Sequence, residues 1–278
     1  MFAKVYLEIT NVCNMDCSFC VGTSRRKRFM TTDEFKILAT KIRPHTDFLY
    51  LHLMGEPTLH PLLGEFLKIA EILGFKVILT TNGTLLEKVK DVLLGCNALF
   101  KVSISLHSFE ANSGLSMEKY FNNCFDFADE ASQKDIISVF RLWNEGGKNA
   151  LNDDIVTMLK KRFDGEWAEN TKGIRIRKKL FIEYGEKFEW PLHSQNISSE
   201  IFCYGLKDHV GVLCDGSVVP CCMDYDGNAV LGNLFEKSLY EIMTGEKAMY
   251  FKKMLENHTA PCVMCRRCGF AQNKFLHM

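Results

Sequence analysis

The chain has 278 residues, of which 47% are hydrophobic and 24% are charged, a composition typical of soluble globular proteins. Its 34 basic and 34 acidic side chains give a formal net charge of zero, so no overall field favours a nucleic-acid partner. No run approaches the roughly 18 apolar residues of a membrane-spanning helix, and residues 1–13 do not resemble a signal peptide. We therefore expect a cytoplasmic protein that binds neither nucleic acid nor membrane.

The first two thirds of the chain alternate short β-rich segments with amphipathic helical ones, which is typical of βα units around a parallel sheet. The sequence predicts six strands, at 5–10, 48–54, 76–81, 100–106, 136–143 and 174–182. Helices are predicted at 32–42, 61–73, 85–94, 117–132 and 153–163, with Thr31 or Thr32 capping the first. This pattern indicates an α/β fold, a partial (β/α)6 barrel over residues 1–190, with its active site at the carboxyl ends of the strands.

The pattern changes after about residue 191, where short strands, turn signals and closely spaced cysteines follow. Asp215-Gly216 predicts the turn of a β-hairpin, and a helix is predicted near 239–255. We expect residues 191–278 to form a small cysteine-rich module of a β-hairpin plus a helix.

The chain contains twelve cysteines, three between Cys13 and Cys20 and seven between Cys203 and Cys268. A disulfide framework is the simplest interpretation of so many cysteines, but such frameworks belong to small secreted domains. Metal or cluster ligation is therefore the better hypothesis.

The first group has the spacing Cys13-x3-Cys17-x2-Cys20 and follows the first predicted strand directly. Three thiolates so close together can bind three irons of a four-iron cluster and leave the fourth iron open for a small molecule. A structural zinc site is the alternative, although it normally has a fourth cysteine or histidine nearby.

This segment, with Phe19 just before the third cysteine, resembles the defining motif of the radical S-adenosylmethionine (SAM) superfamily. Met54-Gly55-Glu56-Pro57 resembles the family's Gly-Gly-Glu-Pro element, with Met54 in place of the first glycine. The resemblance implies that Gly55, Glu56 and Pro57 contact the SAM methionine, that Ser105 binds its methionine or ribose part, and that Arg141 pairs with its carboxylate. It also implies the family's chemistry, the reductive cleavage of SAM to a hydrogen-abstracting 5′-deoxyadenosyl radical.

The second cysteine group resembles the twitch module, a shortened SPASM domain that holds one auxiliary [4Fe–4S] cluster. The resemblance implies four ligands, Cys203, Cys221, Cys262 and Cys265. Cys268 could replace Cys265, and Cys214 or Cys222 could be ordinary core cysteines. A zinc ribbon remains the alternative for this module.

The sequence contains fewer indications of the substrate than of the cofactors. The carboxylates of Glu8, in an inward-facing position of the first strand, and Glu183, at the end of the sixth, could bind a polar substrate or form salt bridges. The basic run Arg25–Arg28 is either a solvated loop or a cover for an anionic ligand.

The size and layout are similar to those of compact radical SAM enzymes that act on small polar molecules. The specific hypothesis is a lyase that releases 7-aminomethyl-7-deazaguanine from queuine. The alternatives are a dehydrogenase of an amino-sugar or cyclitol alcohol and a peptide maturase. The position of the motif at Cys13 makes the peptide hypothesis less favoured, because we expect no peptide-recognition domain before it. The family resemblance implies a flavodoxin or ferredoxin-type electron donor.

Overall fold

The computed structural model describes residues 1–112, 114 and 116–276. In these residues eleven strands form one sheet. The strands are β1 Lys4–Leu7, β2 Phe48–Tyr50, β3 Lys76–Thr81, β4 Leu99–Ser105, β5 Ile137–Glu145, β6 Ala168–Asn170, β7 Gly173–Arg177, β8 Leu180–Glu186, β9 His209–Val212, β10 Ser217–Val219 and β11 Gly232–Asn233. The helices are α1 Thr32–Ile42, α2 Leu63–Ile72, α3 Leu86–Leu94, α4 Met117–Gln133, α5 Asn152–Arg162, α6 Leu239–Thr244, α7 Glu246–Glu256, α8 Val263–Arg266 and α9 Gly269–Leu276.

Six strands pair side by side in parallel, in the order β1, β2, β3, β4, β5 and β8. Helices α1 to α4 lie between successive strands along the chain, as expected for right-handed βα crossovers. This arrangement confirms the predicted α/β class. It also brings the loops that follow β1 to β5 and β8 to one edge of the sheet, where parallel sheets bind their ligands.

The barrel helices bury their apolar faces against the sheet. Helix α1 begins with a capping box, in which Thr31 accepts a hydrogen bond from the Glu34 amide while the Glu34 carboxylate accepts one from Thr31. Phe35 of α1 stacks on Phe66 of α2 with ring centroids 4.4 Å apart, and both side chains are fully buried. The cap and the stack fix the helix that follows the loop carrying the first cysteine group.

The prediction of a single sixth strand at residues 174–182 is wrong. Residues 174–182 are divided between β7 and β8, which pair antiparallel around a turn at Lys178-Lys179. Lys179 has φ 66°, in the left-handed region that reverses the chain direction. Only β8 continues the parallel barrel, while β6 and β7 extend the sheet beyond it.

The C-terminal segment joins the same sheet on the opposite side. Strand β9 pairs in parallel with β1 over four residue pairs, and the predicted hairpin at Asp215-Gly216 carries β10 back antiparallel to β9. The helix predicted near 239–255 is interrupted, because Gly245 adopts an extended conformation that ends α6 and begins α7. In the part of the chain that the structure describes, no helix has the length and apolar character needed to cross a membrane.

Candidate active site

A cavity of about 380 Å³ opens at the carboxyl ends of the parallel strands, beside the loop that follows β1. All three cysteines of the first group line it, together with four of the six residues that the family resemblance singles out beside them, namely Phe19 of the cysteine motif and the five residues assigned to SAM contacts. These four residues are Phe19, Gly55, Ser105 and Arg141. The fold therefore brings together side chains that lie more than 120 residues apart in the sequence.

The loop that carries the three cysteines is held by amide side chains from two other βα loops. Asn82, just after β3, places its amide nitrogen 3.9 Å from the sulfur of Cys13. Asn112, after β4, donates to the sulfur of Cys17 over 3.1 Å and accepts from the Asp16 backbone amide. Amide donors of this kind orient thiolate ligands and tune an iron–sulfur cluster.

The three thiols of the cysteine loop suit a cluster whose irons supply the positive charge that stabilises thiolates. Burial raises the pKa of Cys13 and raises that of Cys17 to about 11, so these thiols are protonated near neutral pH until a metal displaces the proton. Within the described residues, no three His, Cys, Asp or Glu side chains converge on a single metal ion. A four-iron cluster binds each thiolate at a separate iron and does not require that convergence.

The Met54–Pro57 segment packs tightly against the cysteine loop. Gly55 has φ 75°, and a Cβ atom there would lie 2.5 Å from the Thr10 carbonyl oxygen and 2.8 Å from that of Val12. The next residue, Glu56, donates its backbone amide to the Val12 oxygen over 2.8 Å. Only glycine allows this approach of the two backbones.

Glu56 and Pro57 support the site without lining the cavity. The Glu56 carboxylate is buried and accepts hydrogen bonds from Thr58, from the Thr81 hydroxyl and from the Asn82 amide. Burial raises its pKa, although these hydrogen bonds act in the opposite direction. Pro57 begins a short 3-10 helix. The Glu56 side chain thus joins the β2 loop to the end of β3, and its backbone remains near the cysteine loop.

Aromatic side chains cover one side of the cavity. Phe19 packs on His107 with ring centroids 4.9 Å apart, and the indole of Trp190 donates to the Phe19 carbonyl oxygen over 2.9 Å. The Arg141 guanidinium lies 4.3 Å from the ring centre of Trp143. Sequence reasoning missed His107 and Trp190, since neither lies in a recognisable motif.

Arg141 has few partners for a buried guanidinium. One of its terminal nitrogens lies 3.4 Å from the Thr80 hydroxyl, its Nε is 3.8 Å from the Glu183 carboxylate, and that Nε has no hydrogen-bond partner among the described residues. Ser105 lies beside it at the paired end of β4 and β5. The side chain therefore retains donors for an anionic group in the cavity.

The two carboxylates considered for substrate binding do not line this cavity. Glu8 is fully buried and accepts two hydrogen bonds from Arg25, of 2.7 and 2.8 Å, so we do not retain it as a catalytic candidate. Glu183 pairs with Lys101 over 3.2 Å and lies 3.8 Å from the Nε of Arg141. In the basic run, Arg25 and Arg28 form ion pairs, the latter with Glu34, while Lys27 lines the cavity.

The second cysteine group also comes together. Besides burial, the nearby thiolates of Cys203, Cys222 and Cys268 raise the pKa of Cys221, and the Cys262 sulfur lies 3.6 Å from that of Cys265. Cys265 in turn lies close enough to Cys203 and Cys221 for their thiolates to raise its pKa. The four expected ligands are thus neighbours, and Cys222 and Cys268 adjoin them. Cys214 lies apart from this group, because its thiol contacts Glu8.

Comparison with known proteins agrees with this geometry. The radical SAM superfamily profile matches residues 7–169, and the SPASM profile, an iron–sulfur cluster-binding domain, matches residues 203–269. The chain belongs to the radical SAM superfamily. Its cofactors are accordingly a [4Fe–4S] cluster with SAM in the barrel and an auxiliary iron–sulfur cluster in the C-terminal module, and it requires an electron donor.

Two relatives match over nearly their whole length. The tungsten-containing aldehyde ferredoxin oxidoreductase cofactor-modifying protein of Pyrococcus furiosus is 38% identical, over 96% of this chain and 89% of its own. The SAM-dependent 2-deoxy-scyllo-inosamine dehydrogenase of Niallia circulans is 22% identical, over 97% and 93%. Among solved structures, BtrN in complex with AdoMet and 2-DOIA superimposes with a TM-score of 0.62 at 19% identity, over 96% of this chain and 93% of that one. This structural likeness extends the match in fold to both parts of the chain.

Replacing Gly55 tests the contact between the two backbones. Gly55→Ala should weaken SAM binding at least about tenfold, because its methyl group would displace the loop that carries the cysteines. Gly146→Ala is the matched control, since Gly146 has the same φ of 75° and, among the described residues, no atom within 4 Å of its Cβ position. Equal SAM affinities for the two variants, measured by equilibrium dialysis of reconstituted protein, would refute the role assigned to this contact.

The burial of His107 predicts that the free energy of unfolding depends on pH. Burial lowers the pKa of His107 to about 4, whereas the unfolded chain takes up this proton near pH 6.5. Protonation of the unfolded state therefore reduces stability as the pH falls from about 6.5 to about 4. Relative to a His107→Gln variant, the wild-type apoprotein should lose about 1.6 kcal/mol of unfolding free energy between pH 6.5 and pH 5. Urea denaturation at the two pH values measures this, and a pH-independent difference would contradict the burial argument.

Proposed function

We propose that the chain abstracts a hydrogen atom from a small polar substrate bound beside SAM in the cavity. One observation carries this proposal, namely that the three thiols share a single cavity of about 380 Å³ with aromatic and charged side chains. A [4Fe–4S] cluster with bound SAM supplies the one-electron cleavage that generates the abstracting radical. The chain's own residues hold the cysteine loop, bind the anionic part of SAM and keep water from the reacting atoms.

The substrate side of the cavity combines flat and charged groups. Trp143 and Trp190 offer aromatic surface, Lys27 and Lys187 offer positive charge, and Asp16 offers an exposed carboxylate. Such a set suits a heterocycle with amino groups, which can stack on an indole and donate hydrogen bonds to a carboxylate. Two full-length relatives are named for small molecules, one for a cofactor and one for an aminocyclitol, which also favours a small substrate.

Queuine cleavage is the specific hypothesis within this class. In this reaction a hydrogen atom is abstracted from the cyclopentenediol and its bond to nitrogen breaks. A hydroxyl proton of the diol goes to the departing nitrogen, which gives 7-aminomethyl-7-deazaguanine, and the remaining five-carbon radical takes up one electron from the electron donor and one proton to form an unsaturated ketone. Asp16, in place of Glu8, would accept hydrogen bonds from the guanine-like edge of the base. A flavodoxin or ferredoxin-type protein would donate the electron.

Oxidation of an alcohol is the second candidate, and a contact between the two parts of the chain favours it. Cys222, beside the second thiol group, lies next to Tyr6 in the barrel, and Tyr6 lies near Arg141, which lines the cavity. This contact brings the auxiliary site close to the substrate region. After hydrogen abstraction, loss of a proton and of one electron to the auxiliary cluster would yield a ketone.

Product analysis separates the two candidates. Reconstituted protein should form 5′-deoxyadenosine faster with queuine than without it, and should release 7-aminomethyl-7-deazaguanine. Asp16→Asn should raise the KM for queuine about tenfold, because it removes a charged acceptor. Asp164→Asn, which changes an exposed aspartate outside the cavity, is the control.

Slow cleavage of SAM that queuine does not stimulate would eliminate the lyase hypothesis. Stimulation by 2-deoxy-scyllo-inosamine, with an oxidised product, would instead establish the dehydrogenase.

A further inference from the structure

The segment that follows the third cysteine is held by the C-terminal module. Three residues beyond Cys20, the Thr23 hydroxyl donates a short hydrogen bond to the Asp226 carboxylate. The same carboxylate accepts from the Ser24 backbone amide over 3.0 Å and from the Ser24 hydroxyl over 2.9 Å. Asp226 thus receives three hydrogen bonds from two consecutive residues of the cysteine loop.

Arg25 extends this attachment. Its Nε donates to the Tyr225 carbonyl oxygen over 2.9 Å, and its two terminal nitrogens form a bidentate pair with Glu8. Glu8 in turn accepts from the Cys214 backbone amide over 3.1 Å. Residues 23–25 are therefore attached to the C-terminal module directly at residues 225–226 and, through Glu8, at residue 214.

The loop needs such an attachment because Cys20 is exposed. Gly22, which separates Cys20 from the attached residues, has φ 69° and no atom of the described chain within 4 Å of its Cβ position, so packing among these residues does not fix the chain there. A three-cysteine site binds its cluster more tightly when the loop is already ordered, because less conformational entropy is lost on binding.

We propose that Asp226 is a positioning residue for the first [4Fe–4S] site, acting through Thr23 and Ser24 on the loop that carries Cys20. Folding of the C-terminal module and retention of the barrel cluster are thereby coupled. This coupling concerns the cluster loop alone and does not depend on which substrate the enzyme uses.

The test is the rate at which each cluster is lost. Reconstituted wild type and Asp226→Ala are exposed to an iron chelator under anaerobic conditions. The barrel cluster is followed by its SAM-dependent EPR signal, and the auxiliary cluster by the SAM-independent one. Asp226→Ala should lose the barrel cluster about tenfold faster and the auxiliary cluster at the wild-type rate. Hydrogen exchange of the apoprotein should show faster exchange in residues 17–25.

Two further variants make the result specific. Asp208→Ala is the matched control, since Asp208 is a half-buried aspartate of the same module that is separate from the residues holding the loop. Ser24→Ala changes an exposed residue of the loop and removes one of the three hydrogen bonds to Asp226. It should increase the rate of barrel-cluster loss by less than Asp226→Ala does, and it provides a test even if Asp226→Ala folds poorly.

Equal rates of barrel-cluster loss in wild type, Ser24→Ala and Asp226→Ala would overturn the proposal. Parallel loss of both clusters together with a lowered Tm would also overturn it, because that pattern reflects general destabilisation.

Discussion

The buried carboxylate of Glu8 is the interaction on which the arrangement of the site depends. It lies directly after β1 and accepts hydrogen bonds from Arg25 in the cysteine loop, from the Met54 amide in the β2 loop and from the Cys214 amide in the C-terminal hairpin. One side chain therefore fixes three segments relative to the first strand. Removing one partner of a buried ion pair of this kind costs on the order of 3–5 kcal/mol, so the carboxylate and the guanidinium are required together.

Much of the fold follows from local patterns in the sequence. Hydrophobic periodicity and capping residues predict α1 at its observed bounds, and the β3 strand is likewise predicted correctly. The errors occur where a single backbone conformation decides the outcome. Lys179 turns one predicted strand into a hairpin, and Gly245 divides one predicted helix. Neither conformation is encoded in periodicity, because tertiary contacts select it.

In the candidate site, too, local features could be predicted from the sequence and features set by tertiary contacts could not. The spacing of Cys13, Cys17 and Cys20 is local and is readable from the sequence alone. The burial and ion pairing of a side chain cannot be read from the sequence. Glu8 and Glu183 could therefore not be distinguished from substrate-binding carboxylates until their partners Arg25 and Lys101 were known. Asn82, Asn112 and Asp226, which hold the cysteine loop, come from distant segments and belong to no spacing motif.

We infer that the chain binds two separate clusters and that only the barrel cluster cleaves SAM. The most direct measurement is to count iron and sulfide after anaerobic reconstitution and to measure 5′-deoxyadenosine formed with dithionite. About eight irons are expected in wild type, and about four in both the Cys13, Cys17, Cys20→Ala variant and the Cys262, Cys265→Ala variant. The first variant should form no 5′-deoxyadenosine. SAM cleavage that persists in the first variant, or an iron count that neither variant lowers, would contradict the assignment of two separate clusters.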